Sequence, residues 1–391
     1  MTTSRENPMF PMQPEEFWFR GEDPERPVQF NDQLKVWDVY GHPETLIVLS
    51  DTGTFSSDIT RRVVQPGTSA NEGNLLEMDP PDHTKLRRLV AHAFTPKFVA
   101  NLAPSVARLT HELLDAVTGQ DEIELIKALA YPLPITVVTE LLGLPAEDRE
   151  QFREWTIDVL EAYAAFESGH GHQAQMVSSQ DMFDYILDHA RQRRARPHED
   201  LLTVLAQAEV DGERLTDIEI ANFVGLLLLA GYITTKHLLG NTVLCLDHYR
   251  DDQALVRADR ALLPTAIEES LRFLPPFTSI YRHTTREKTI GDIVIPAGAG
   301  VNAWLGAANR DSRVFPDPHS FNIFRNPNPH IAFGRGAHFC IGAPLARLEG
   351  RIVLDILMDR YPEWTLDPAN PPTFAPAWEG SGVQTLPLRV G

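Results

Sequence analysis

The stretch Phe333–Arg347, FGRGAHFCIGAPLAR, decides the reading of this chain, because it surrounds one cysteine with what a metal-binding thiolate needs. Gly334, Gly336 and Gly342 permit tight turns that bring backbone N–H groups toward the sulfur of Cys340. Pro344 stands where a first helical turn would begin, and the helix-forming run LARLEGRIVLDIL follows it. The sulfur is therefore expected to face a helix N-terminus, whose partial positive charge favours thiolate over thiol. With no second cysteine near it, a single thiolate suits a metal centre that brings its own remaining ligands, and haem iron answers that description. The fixed positions of F-G-x-G-x-H-x-C-x-G coincide by chance in about one chain in a million at average residue usage, so the pattern is specific. Cys245, in the apolar run NTVLCL, reads as core.

At these residues the chain resembles the cytochrome P450 family, specifically its soluble bacterial members, and the resemblance extends from about Gln33 to Arg389. It implies the cytochrome P450 fold, mainly α with a smaller β portion, as a single domain over residues 1–391. The haem-thiolate loop would occupy 333–342 and the oxygen-binding helix about 217–248. Within the loop, Cys340 would be the axial ligand of haem b iron, and Phe333 and Gly342 would help to hold the cofactor.

Length and composition are compatible with that class. The chain has 391 residues, enough to bury a sizeable core in one large domain or two average ones. Only two cysteines exclude a disulfide framework and suit a reducing compartment. The N-terminal MTTSRENPMFPMQPEEFWFR has no apolar signal region, and the longest apolar run, Val224–Ile233, is short for a bilayer. No membrane anchor and a cytoplasmic location are expected. A net charge of −19 argues against nucleic acid as a partner. It also sets a problem, because bacterial family members take electrons from small acidic ferredoxins. A local basic patch, with Arg88, Lys97 and Arg335 as candidates, would have to outweigh the global repulsion.

Along the chain, VWDVYGHPETLIVLSD reads as strand–turn–strand with Gly41–His42–Pro43 as the turn. Helical patterns run from about Thr84 to Arg272, and strands take over around IGDIVIPAGAGV. A helix returns after Pro344, and the tail GSGVQTLPLRV looks like a hairpin remnant.

Further clusters carry chemistry. Glu269 and Arg272 in ALLPTAIEESLRFLPP lie three apart on one helical face, within reach of a salt bridge. Alone such a pair is commonplace. Followed by Pro275–Pro276 and the haem loop, it resembles the family's E-x-x-R motif, which implies a buried ionic triad completed by Arg325 and fixing the cysteine loop. His83 and Arg87 in DPPDHTKLRR share a helical face; with Arg282 and His338 they match the family's positions for the haem propionates.

In ANFVGLLLLAGYITTKHLLGNTV, residues Leu226, Leu229, Ala230 and Thr234 fall near one face. They can be read as buried core with threonines bonded back to carbonyls one turn earlier. The family reading puts Ala230–Gly231 over the haem and has Thr234 loosen the helix and bond the bound oxygen. Where the family usually carries Asp or Glu before Thr-Thr, this chain has Ile233. Protons would then arrive through water, Thr234 or a substrate hydroxyl, or by a route through Thr235 or His237, unless the reaction needs no full oxygenase cycle.

Phe277, Ile280, Val383 and the central leucines would make an apolar pocket, with Arg61 and Arg62 on a nearby loop. Gly169–Gln175 looks like a mobile connection, its His170 and His172 surface residues rather than ligands. The resemblance implies a monooxygenase that inserts one atom of O2 into an apolar small molecule, a secondary metabolite such as a polyketide, terpenoid or peptide. Electrons would come from an external ferredoxin and ferredoxin reductase. The alternatives are a peroxide-driven or oxidative-coupling haem-thiolate enzyme, or a non-catalytic haem sensor.

Overall fold

The computed structural model describes residues 16–58, 73–91, 94–148, 150–152, 154–158, 174–376 and 379–390. Arg61, Arg62, His170 and His172 lie outside them. The chain is mainly helical with a smaller strand portion. Its contacts group into two units, one made of residues 1–57, 237–340 and 364–389, the other of 58–236, 341–363 and 390–391.

The first unit is built on a five-stranded sheet in the order Val28–Asn31, Val36–Val39, Gly300–Ala303, Ile280–Thr284, Phe55–Ser56. Gly300–Ala303 runs parallel to Val36–Val39 and antiparallel to Ile280–Thr284, with Val301 opposite both Trp37 and Arg282. Alternation points Val28, Val39, Phe55, Val301 and Ala303 into a core that Ile290, Ile295, Leu305 and Ile331 complete. The expected strands in IGDIVIPAGAGV are present as the hairpin Lys288–Ile290/Ile293–Ile295 and the strand Gly300–Ala303.

Two expectations fail in this unit. His42–Ser50 is a helix, not a second strand. Gly41 caps it in an extended conformation, Pro43 sits in the first turn where its missing N–H costs nothing, and Asp311 accepts from His42 N at 2.8 Å. Thr45, Val48 and Leu49 are buried at helical spacing, so the run read as a strand buries one helical face. The tail is not a hairpin either. Val383–Thr385 pairs with Thr373–Phe374, whereas Pro387–Val390 joins a separate sheet beside Trp364–Leu366. Pro387 cannot donate to a ladder, and no two-residue turn separates the two strands.

The second unit is helical. Ala103–Asp115 buries Val106, Leu109 and Leu114 on one stripe and packs against Ala343–Arg360, the helix that follows the cysteine loop. Asp82–Ala91 buries His83, Leu86, Leu89 and Val90. Asp217–His248 is an unbroken α-helix, the division between units falling after Lys236. By length and composition it could cross a membrane, but half of its apolar window is buried and Val243–Leu246 are 0 % exposed, as in a core helix.

Candidate active site

The candidate residues divide between the two units. In the first, the cysteine loop is folded by its own backbone. Cys340 N donates to Phe333 O at 2.9 Å, Gly334 N to Ile331 O at 2.8 Å, and Phe339 N to Gly336 O at 3.1 Å. Gly334 and Gly336 sit at φ +69° and +72°, which disfavours any side chain, and a Cβ on Gly336 would lie 2.9 Å from Leu49 O. Gly342 departs from expectation. As N-cap of Ala343–Arg360 it has φ −81°, open to any residue, so only two of the three glycines are needed for the turn.

Cys340 is exposed on this loop. Cys245 is fully buried, and burial pushes its thiol up to about 12. Among the described residues no group of three or more His, Cys, Asp or Glu could hold a metal ion. The donor set is therefore one accessible sulfur on a rigid loop, which fits a metal that carries its other ligands in a macrocycle.

The loop is tied to a buried ionic cluster. Glu269 and Arg272 are both 0 % exposed and bond in a fork, Nε to Oε2 at 2.8 Å and Nη2 to Oε1 at 2.7 Å. Arg325 Nε meets both Glu269 oxygens at 3.2 Å, so the triad is present as expected. Two cations share one carboxylate, and the excess charge is taken up by carbonyls. Arg272 also donates to Asn309 O, Pro318 O and Ser320 O, and Arg325 to Pro316 O, Asp317 O and Ser320 O.

Sequence reasoning missed three members of this assembly. Asn328 Nδ2 and Asn322 N complete the shell of Glu269 at 3.1 and 2.9 Å. Asn309 is the link, since its backbone O accepts from Arg272 while its Oδ1 accepts from Ile331 N at 2.8 Å. A continuous path thus runs from Glu269 through Arg272, Asn309 and Ile331 to Gly334 and the cysteine loop. The asparagines between prolines in RNPNP were the available signal, because a rigid polar turn beside an arginine needs a partner. Arg310, also missed, is buried against Phe19 and Phe273, and desolvation brings its guanidinium down to about 9.

Of the expected propionate partners in this unit, Arg282 is 7 % exposed on the strand Ile280–Thr284 and donates to Tyr281 O at 2.7 Å. His338 Nε2 is 3.0 Å from Ser57 Oγ. Ile280 approaches the loop, with Cδ1 3.9 Å from where a Cβ of Gly334 would stand. Phe277 is 40 % exposed, whereas Val383 is fully buried and presents no surface to line a pocket. His237 Nε2 is 3.2 Å from Glu379 O, and a Cβ on Gly382 would collide with its ring, so this histidine is clamped by the C-terminal turn.

In the second unit, His83 is buried and Arg87 half-buried on one helix. On Asp217–His248 the residues Asn222, Gly225, Leu226, Leu229, Ala230, Gly231 and Thr234 are left partly or fully uncovered, while Phe223, Val224, Leu227, Leu228, Tyr232 and Ile233 are buried. These residues form the less covered side of the helix, where a Cβ added at Gly225 or Gly231 would still meet Met182 or Val138 at van der Waals distance. The expected loosening is absent: the helix stays regular through Gly231–Thr235, and Thr234 Oγ1 donates back to Ala230 O at 2.7 Å. Ile233 is 6 % exposed and turned away from the less covered side.

Comparison with known proteins agrees with this geometry. The cytochrome P450 family model matches residues 35–390. Cyclomarin C epoxidase CymV of Salinispora arenicola is 40 % identical over 353 residues, 88 % of each chain. Cytochrome P450 monooxygenase PikC of Streptomyces venezuelae is 39 % identical over 378 residues, 95 % of this chain and 89 % of PikC. The crystal structure of HmtN, a post-tailoring hydroxylase involved in himastatin biosynthesis, has a TM-score of 0.87 at 49 % identity, covering 97 % of each chain. The chain belongs to the cytochrome P450 family and is a haem-thiolate monooxygenase.

Proposed function

We propose that the protein binds haem b through Cys340 and uses O2 and two electrons from an external ferredoxin, supplied by its reductase, to hydroxylate or epoxidise an apolar secondary metabolite in the cytoplasm. The observation that carries this reading is one exposed cysteine on a loop locked by its own backbone hydrogen bonds and by two glycines at positive φ. The cofactor would supply the binding and reductive activation of dioxygen.

The protein's own residues do the rest. His83, Arg87, Arg282 and His338 offer donors for two propionates. Leu226 and Leu229 on the long helix would offer apolar surface to a substrate, and so, in the other unit, would Ile280 and Phe277. Ala230 leaves room on the same long helix. Thr234 has its hydroxyl proton committed to Ala230 O, so its oxygen is left as an acceptor that can hold a water or a substrate hydroxyl in place. With Ile233 where an acid is usual, that water or hydroxyl is the proton source the arrangement favours. The names of the relatives, an epoxidase acting on cyclomarin C and a hydroxylase of himastatin biosynthesis, support late modification of a finished metabolite.

Titration of the purified holoprotein with macrolides, terpenoids and peptides, watched at the Soret band, tests the reading. A saturable low-spin to high-spin shift, followed by ferredoxin-dependent product formation, is the expected result. The missing acid at position 233 leaves two other readings, a peroxide-driven or coupling reaction and a haem sensor. Product formed with peroxide and not with ferredoxin would select the first of these. Ligand-induced spectra with no electron consumption would select the sensor.

A further inference from the structure

Two ion pairs fasten an acidic hairpin onto the cationic face of the helix Asp82–Ala91, within the second unit. Lys85 Nζ meets Glu213 Oε2 at 2.6 Å, and Arg88 Nη2 meets Asp211 Oδ2 at 3.0 Å. Lys85 and Arg88 are three apart, one helical turn on the exposed side, opposite the buried His83, Leu86 and Val90. Asp211 and Glu213 flank the tip of the ribbon Glu209–Val210/Glu213–Arg214, in which Val210 pairs with Glu213.

The tip is held in shape by its own turn. Asp211 and Gly212 stand at φ +56° and +80°, the Asp-Gly geometry that suits a two-residue hairpin. Arg214 and Glu209 pair across the strands at 2.6 Å. Yet the ribbon buries almost nothing. Glu209, Asp211, Gly212, Glu213 and Arg214 are exposed, and Val210 is half-buried. A two-stranded ribbon of this length has little stability of its own. What fastens its tip to the helix is therefore charge, and both pairs are open to solvent, with side chains 48 % to 75 % exposed. Exposed pairs of this kind are weak and exchangeable.

We propose that the hairpin is an internal competitor for an acidic redox protein: it occupies Lys85 and Arg88 in the free enzyme, and docking exchanges Glu213 and Asp211 for carboxylates of the partner. This rests on the ferredoxin dependence proposed above. In a chain of net charge −19, cations already neutralised from within give an acidic protein little to find until the hairpin yields. The exchange makes docking selective, because a partner must offer carboxylates at the spacing of one helical turn to displace both.

The test is calorimetric titration of the holoenzyme with an acidic plant-type 2Fe–2S ferredoxin at low salt. Four forms are compared: wild type, Asp211→Asn/Glu213→Gln, Lys85→Gln/Arg88→Gln, and the combination of all four substitutions. Freeing the cations should tighten binding by about fivefold, the scale of one or two exposed pairs. The same acid substitutions should give no gain once Lys85 and Arg88 are gone. The combination has the net charge of the wild type, so an equal gain in that background would mean a general charge effect and would overturn the proposal. Unchanged affinity in Asp211→Asn/Glu213→Gln, with wild type binding normally, would also overturn it while leaving ferredoxin dependence intact. Absence of binding by every form, together with product formation driven by peroxide, would remove the ferredoxin reading and this proposal with it.

Discussion

Burial sorts the two cysteines and one carboxyl of this chain. Cys340 is exposed and Cys245 is enclosed. Cys340→Ser should abolish the thiolate-type spectrum of the carbon monoxide complex, whereas Cys245→Ala should keep it; a thiolate spectrum in Cys340→Ser would displace the ligand assignment. Glu349, on the helix that follows the cysteine loop, is the less expected case. It is 1 % exposed, its Oε2 has no hydrogen-bond partner among the described residues, and burial pushes its carboxyl up to about 8. In the unfolded chain the same group titrates near about 4.3. Between these values the unfolded state has released the proton and the folded state has kept it. Stability from the neutral form is thus complete below the lower value and erodes as pH rises toward the upper, by about 1.4 kcal/mol per pH unit. Glu349→Gln removes the titration while keeping the shape. In urea melts the variant should match wild type near about pH 5 and exceed it by several kcal/mol near about pH 9. A pH-independent difference would mean that Glu349 does not titrate in this range.

At the level of elements, the cysteine loop is held from a distance. Asn309 is 0 % exposed and supplies the acceptor for Ile331 N, itself buried. Asn309→Ala leaves that N–H without its partner, a cost of about 1–3 kcal/mol, applied where the loop begins. Glu269→Ala does more, leaving two arginines without their carboxylate, a loss of about 3–5 kcal/mol. The expected order is failure of Glu269→Ala to take up haem, and faster haem loss from Asn309→Ala to apomyoglobin. Wild-type haem retention in Asn309→Ala would break the path from the ionic cluster to the loop. The sequence made the loop, the ionic triad and the long helix legible because each is a fixed spacing of unusual residues. It misread His42–Ser50 because Gly-His-Pro opens a helix as readily as it closes a turn, and apolar runs fit either period. Asn309 was invisible because its role needs a carbonyl and a side chain aimed at residues far apart in the chain. The bond from Thr234 back to Ala230 O was one of the two readings open at that helix, and spacing could not choose between them, since a hydroxyl can bond to the helix without opening it.

For the whole molecule the governing number is charge, 54 acidic against 35 basic residues. Against the acidic ferredoxin proposed as partner this would produce two opposed effects with different ranges. The repulsion is summed over many charges and acts at long distance, whereas attraction at Lys85, Arg88 or another basic patch acts at contact. Salt separates them, because the screening length falls from about 30 Å at 0.01 M to about 10 Å at 0.1 M and about 3 Å at 1 M. The first increments remove the repulsion while leaving contacts of ~3–4 Å largely intact; further salt weakens the contacts as well. Ferredoxin-supported turnover at low ferredoxin concentration should therefore rise with added salt, pass through a maximum near about 0.1 M, and fall beyond it. A turnover that only falls would mean that the basic patch dominates at every range, and that the excess of acids lies too far from it to matter. One that only rises would mean that no cationic patch guides the encounter, leaving apolar contacts such as the exposed Phe324 and Phe339 to hold the partner near the cysteine loop. The position of the maximum thus measures how far the local field at the docking face departs from the charge of the chain as a whole.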